Sequence, residues 1–160
     1  MTSKLLSELN AEHFKNAVII LDIDGAIVPD KTSDISAAAE RFVKLLAETN
    51  EVHLVSNGKR HERNAKLAHR LGVSYFETPH KKPTKRAVLH ILENQSGRPV
   101  IVIGDKFLTD GFLAMRIKAE FVKVKRLTSG KEGAFTFFVN FIDDAIYAIY
   151  QKLEKGFSKF

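Results

Sequence analysis

The chain has 160 residues and no cysteine, with 44% hydrophobic and 28% charged residues and a formal charge of +6. That length suits one domain with a buried core, and the absence of thiols excludes disulfides and thiolate-held zinc. The positive charge favours anionic partners, and phosphorylated small molecules, nucleic acid and acidic lipid headgroups all fit it.

Residues 1–15 include Glu8, Glu12 and His13 and no apolar run of the kind a secretory signal needs. No stretch approaches the roughly 20 apolar residues of a spanning helix, so the expectation is a cytoplasmic protein that is either soluble or touches a membrane only at its surface. Ala17 to Leu21 is apolar and rich in Val and Ile, as in a strand buried on both faces of a parallel sheet. Ser33, Asp34 or Ser36 can cap a helix carrying Ile35, Ala39, Phe42 and Leu46, and Val52 to Val55 reads as the second strand. A helix from about Lys59 to Leu71 stops at Gly72 before a short strand, Val73 to Phe76. Pro83 fits the first turn of a helix reaching Asn94, Gly97 to Pro99 breaks the chain, and Val100 to Ile103 is the fourth strand.

A short helix near Leu108 to Ile117, a strand Phe121 to Val124 and a long helix near Phe135 to Leu153 complete the pattern. On the last helix Phe135, Phe138, Val139, Ile142, Ile146, Ile149 and Leu153 share one side, expected to pack on the core. Phe137, Phe141, Tyr147, Phe157 and Phe160 are left over, interleaved with Lys152, Lys155 and Lys159. Core packing is expected to account for most of them, with an anionic membrane or a second subunit as the alternative for the surplus. Five strands alternating with helices predict right-handed crossovers and a Rossmann-like three-layer α/β/α fold around a five-stranded parallel sheet, in one domain over 1–160.

Ligands of such sheets bind outside the carboxyl ends of the strands. Asp22 and Asp24 end the first strand, Ser56 and Asn57 the second, Lys81 and Lys82 follow the third, and Asp105 ends the fourth. Two carboxylates two positions apart share one side of an extended chain, and Gly25 permits a tight turn after them. One can attack phosphorus; its neighbour, if protonated, can donate to the leaving oxygen and later take a proton from water. Oxygen ligands from Asp22, Asp105 and the backbone would suit Mg²⁺, while a lysine and a hydroxyl complete a phosphate cradle.

These segments resemble the haloacid dehalogenase superfamily: Asp22-Ile23-Asp24-Gly25 its first motif, Val52 to Asn57 its second, Lys82 its third and Gly104 to Asp110 its fourth. Lys81-Lys82-Pro83, Gly104 to Asp110 and Met115-Arg116 resemble the subfamily IIIA proteins of the YqeG and phosphatidylglycerophosphatase group, over roughly 17–127. The resemblance implies Asp22 as nucleophile and metal ligand, and Asp24 as acid and base with its backbone carbonyl on the metal. It also implies Ser56, Asn57 and Lys82 as phosphate ligands, and Asp105 and Asp110 on Mg²⁺. An aspartate at the position of Asp24 is absent from members that cleave carbon–halogen bonds or drive pumps, which favours phosphatase or phosphomutase chemistry, and mutases usually carry a cap domain.

About 30 residues separate Asp24 from Ser56 and about 25 separate Ser56 from Lys82, so neither gap holds a cap domain and an open, capless site is expected. The implied substrate is phosphatidylglycerophosphate or a similar large phosphorylated molecule, with peripheral membrane contact and no nucleic-acid partner. Alternatives are a phosphatase for a soluble metabolite, phosphoprotein or nucleic-acid end, or a non-catalytic binding domain. Two positions depart from the family: Gly25, where the subfamily often has Asn, and Ala26, where the motif usually has Thr. Lys59, Arg60, Arg63, Lys66 and Arg70 read as an exposed helix face, with substrate guidance as the alternative. Lys81 reads as a solvated neighbour of Lys82, and the histidines lack metal-ligand spacing.

Overall fold

Val18–Leu21 (β1) is buried on both faces: Ile19 and Leu21 join one hydrophobic cluster, Val18 and Ile20 the other. Alternate residues of a strand point to opposite faces, so an all-apolar strand needs cover on both sides. The computed structural model describes residues 3–30, 32–130 and 132–157, except the side chains of 155–157. Glu51–Leu54 (β2), Ser74–Tyr75 (β3), Val100–Gly104 (β4) and Glu120–Lys123 (β5) complete one sheet in the order β3-β2-β1-β4-β5, all parallel.

Ala37–Ala47 (α1) and His61–Leu71 (α2) cover one face with Phe42, Val43, Leu46, Leu67 and Leu71. Leu89–Glu93 (α3) and Phe112–Ile117 (α4) cover the other with Ile91, Leu113 and Ala114. This is the expected three-layer fold. Of the three candidate caps for α1, Ser36 is used, its Oγ accepting from the Ala39 N–H at 3.1 Å. Gly72, at φ +70°, closes α2 in the left-handed conformation that glycine adopts without steric cost.

Two segments differ from expectation. Pro83 precedes its helix instead of opening it: the Lys82–Pro83 peptide is cis, a 3₁₀ turn follows at Lys85–Val88, and α3 ends at Glu93. After β4 the chain makes a π-helical turn, Phe107–Gly111, before α4; such turns recur at functional sites. Near the N-terminus, 3₁₀ turns at Leu6–Glu8 and Ala11–His13 accompany the burial of Leu6 and Phe14 against the core.

The last helix, Ala134–Phe157 (α5), reverses the predicted orientation. Phe135, Phe138, Val139, Ile142, Ile149 and Leu153, expected on the core, are exposed, and Ile146 is half-buried. Asp143 is buried, and Thr136, Asn140, Tyr147, Tyr150 and Gln151 are partly buried on the same side. The reason is the surface α5 meets: two free N–H groups at Phe107 and Leu108, the cations Lys123 and Arg126, and the Phe107 ring, all of which call for polar or aromatic partners. Tyr147, read as surplus, packs on Phe107 and Phe121. Lys159 and Phe160, and the side chains of Lys155 and Phe157, lie outside the described residues. Among the described residues no helix is long and apolar enough to cross a membrane.

Candidate active site

From β1 the chain builds outward through β2 to β3, then crosses to β4 on the other side of β1. The switch between β1 and β4 is where doubly wound sheets open a ligand crevice. It brings Asp22 and Asp105 side by side, and the π-helical turn after β4 returns Asp110 to them. Oxygens of Asp22, Asp105 and Asp110 all lie within 4.8 Å of one another, and all three residues are buried.

Lys82 Nζ enters this cluster from the loop after β3, donating to Asp22 Oδ1 at 2.5 Å and Asp110 Oδ1 at 2.6 Å. Asn57 fixes that approach: its amide donates to the Lys82 carbonyl at 2.9 Å, and its oxygen accepts from the Lys82 N–H at 2.7 Å. The Asn57 side chain thus positions Lys82. Arg116 braces the same loop, donating to the Pro83 carbonyl at 2.8 Å.

Burial pushes the Asp22 carboxyl up to about 8 against the pull of Lys82, and Asp110 and Asp105 add repulsion. Burial also raises Asp105, reinforced by Asp110 and opposed by Arg126. Burial opposes the charged form of Lys82, yet Asp110 and Asp22 hold its ammonium above the ordinary value. Arg126 Nε occupies Asp105 Oδ2 at 2.6 Å, while Asp105 Oδ1 is buried without a hydrogen-bond partner. An orphaned carboxylate oxygen within an oxygen-only cluster of excess negative charge fits a hard divalent cation such as Mg²⁺.

Backbone makes room for these carboxylates. A Cβ on Gly25, at φ +90°, would sit 2.6 Å from Asp105 Oδ2, and one on Gly104 would sit 2.2 Å from Asp110 Oδ2. Glycine at position 25 is therefore the residue that this Asp105 orientation requires. Ala26 is buried in the core.

Asp24 meets the arginines at the start of α2. Arg63 grips it with two bonds, Nη1 to Oδ1 at 2.7 Å and Nη2 to Oδ2 at 2.8 Å, and Arg60 reaches Oδ1 at 3.2 Å. Ser56 Oγ donates to Asp24 Oδ2 at 3.2 Å and accepts from the Gly58 N–H at 3.0 Å. Burial favours protonation of Asp24, but Arg63, Arg60 and Ser56 outweigh it and hold the carboxyl below its ordinary value. Reading the α2 cations as one solvated face is correct for Lys66 and Arg70, which pair with Glu62 and Glu40 at the surface. It is wrong for Arg60 and Arg63. Their spacing of three places both on one side of the end of α2 nearest Ser56, a clue present in the sequence.

The C-terminal segment closes one side of the site. Arg126, Thr136 and Asn140 help line a crevice of about 10 Å³ over Asp24 and Asp105, where an open approach was expected. Sequence reasoning also missed Asp143. From α5 it accepts from the Phe107 and Leu108 N–H groups at 3.0 and 2.8 Å and from Lys123 Nζ at 3.1 Å, and it meets Arg126 at 3.5 Å. It thereby ties the turn carrying Asp110 to the arginine that holds Asp105. Replacing Asp143 by Ala is expected to destabilise the fold by about 2 kcal/mol or more, since buried donors lose their acceptor. It should also weaken Mg²⁺ binding; urea unfolding and calorimetric titration with Mg²⁺ measure the two effects.

Comparison with curated proteins gives no match, and neither does comparison with solved structures. The family model described as mitochondrial PGP phosphatase matches residues 3–126, a span that contains Asp22, Asp24, Ser56, Lys82, Asp105, Asp110 and Arg126. Asp22, Asp105, Asp110 and Lys82 thus lie within the matched span, α5 with Asp143 lies outside it, and the chain belongs to the mitochondrial PGP phosphatase family.

Proposed function

We propose that the chain is a Mg²⁺-dependent phosphatase of the haloacid dehalogenase superfamily, subfamily IIIA, that hydrolyses the phosphomonoester of phosphatidylglycerophosphate at a membrane surface. The observation that carries the reading is the Asp22–Asp105–Asp110 cluster with Lys82 bridging two of its members and one Asp105 oxygen unpartnered. The family match supports the substrate class. Mg²⁺ would be held by Asp22, Asp105 and Asp110, with the Asp24 carbonyl as a further ligand by resemblance; bound there, it supplies positive charge against the phosphoryl oxygens.

Asp22 carries the covalent step. Its carboxylate oxygen bonds to phosphorus as the bond from phosphorus to the glycerol oxygen breaks, and Asp24 gives its proton to that leaving oxygen. A water molecule then loses a proton to Asp24 and attacks phosphorus, the bond to Asp22 breaks, and inorganic phosphate leaves. Lys82 holds Asp22 in place and offers positive charge to the phosphoryl group, and Ser56 contributes its hydroxyl.

Asp24 needs a proton for the first step, while the Arg63 grip favours its ionised form. The incoming phosphate is itself an acceptor for Arg60 and Arg63, and drawing them off Asp24 returns its carboxyl toward the ordinary range. Replacing Arg63 by Ala is accordingly expected to move the Asp24-dependent limb of the kcat/KM profile to higher pH; a profile identical to the wild type would separate Arg63 from Asp24. The function is tested by phosphate release from phosphatidylglycerophosphate, p-nitrophenyl phosphate, a sugar phosphate and a phosphopeptide, each with Mg²⁺ and with chelator. Chelator-sensitive release that favours the lipid supports the reading. Preference for a soluble ester or phosphopeptide would replace the substrate and keep the chemistry.

A further inference from the structure

The outward side of α5 has no partner among the described residues. Phe135, Phe137, Phe138, Val139, Phe141, Ile142, Ile149 and Leu153 are between 36% and 80% exposed, whereas the other exposed large apolar residues, Leu45, Phe76, Leu89 and Met115, are spread over other elements. An aqueous protein rarely leaves so many large apolar side chains together in water. Four of them, Phe135, Phe137, Phe138 and Phe141, fall within the first two turns. The intervening Thr136 and Asn140 turn inward to line the crevice over Asp24 and Asp105. The apolar end of the helix therefore adjoins the candidate active site.

We infer that the first turns of α5 dock the protein on an anionic bilayer, with the phenylalanines entering the headgroup–acyl boundary beside the site. The inference rests on the lipid-phosphatase reading for its substrate and on the geometry of α5 for its surface. Two observations favour a bilayer over a second copy of the chain. At 3.6 residues per turn, the exposed apolar side chains span about 200° of the helix circumference. A packed subunit covers a stripe nearer 100° and would leave the flanks wet, whereas an interface that the helix enters surrounds them.

The second observation is charge on the site's own rim. Lys59 follows β2, Lys81 lies on the loop after β3 that delivers Lys82, and Lys125 follows β5; all three are exposed. These cations stand at the carboxyl edge of the sheet, and they complement an anionic surface at the edge where a headgroup phosphate must enter. Asp143 fixes the helix from beneath, so docking holds α5 against the turn that carries Asp110 without disturbing its own anchor.

The test is co-sedimentation of the full chain with vesicles of equimolar phosphatidylcholine and phosphatidylglycerol, comparing the wild type with the triple substitution Phe137→Ser, Phe138→Ser, Phe141→Ser. Release from soluble p-nitrophenyl phosphate and sedimentation equilibrium without lipid are run on both proteins. The wild type is expected to pellet with the vesicles and the variant to bind at least about tenfold more weakly, with both monomeric and with equal turnover of the soluble ester. Equal vesicle binding by the two proteins, or none by the wild type, overturns the inference. So does a wild-type dimer that the substitutions dissociate, which would make the face a subunit interface. Vesicle binding lost in the variant while neither protein releases phosphate from any ester would sustain the docking surface and refute the enzymatic reading.

Discussion

Replacing Asp22 by Asn is expected to abolish phosphate release, by on the order of 10⁴-fold or more, while the protein stays folded. The amide matches the carboxylate in shape but cannot form the bond to phosphorus. Its neutrality also relieves repulsion from Asp105 and Asp110, which now helps push the Asp22 carboxyl up to about 8. Thermal stability of the metal-free variant should therefore equal or exceed that of the wild type. Acid-quenched wild-type enzyme should yield a peptide containing Asp22 heavier by one phosphoryl group, and the variant should not. Turnover near the wild-type rate would remove Asp22 from the chemistry, and a phosphorylated peptide without Asp22 would reassign the nucleophile.

Replacing Lys82 by Met should have the largest effect on stability. The Lys82 side chain is 2% exposed and bridges two buried carboxylates. Removing one member of a buried charge network leaves its partners uncompensated, at about 3–5 kcal/mol. The pH dependence gives the diagnosis. The folded value for Asp22 lies above its ordinary 3.8, so its contribution to stability is fully present below about 3.8 and is lost as pH rises toward about 8. Without Lys82 that loss deepens, so the gap between variant and wild type should be wide at roughly pH 8 and should narrow by roughly pH 5 as the carboxyls take protons. Urea unfolding at both values, without metal, measures it. A gap independent of pH would mean that Lys82 matters for packing of its aliphatic stem and not for charge.

Both predictions concern residues that the sequence offered directly. Asp22, Asp24, Ser56, Lys82 and Asp105 were legible because in a parallel α/β fold the residues just past each strand share one edge, whatever separates them along the chain. The five strands were legible for a related reason: short apolar runs such as Val18–Leu21 and Val100–Ile103 can be buried on both faces only in the middle of such a sheet. Gly25 was legible as a tight-turn residue, though the closeness of Asp105 to its Cα was not.

What escaped the sequence depended on partners far away in the chain. Arg63 and Arg60 looked like members of a basic helix face until Asp24, 39 and 36 positions earlier, turned toward them. Asn57 read as a phosphate ligand, and its side-chain bonds to the Lys82 backbone were not visible in the sequence. The apolar spacing in α5 predicted a core-facing stripe, because periodicity reports that a helix has two faces and not which one turns inward. Local pattern and strand-end chemistry thus determined the layers, the strand order along the chain and the carboxylate–lysine set. The tertiary structure decided which side of α5 is buried, since only there do the N–H groups of Phe107 and Leu108 and the charges of Lys123 and Arg126 meet Asp143. Buried polar groups need partners, and α5 supplies an acceptor to these only with Asp143 turned inward.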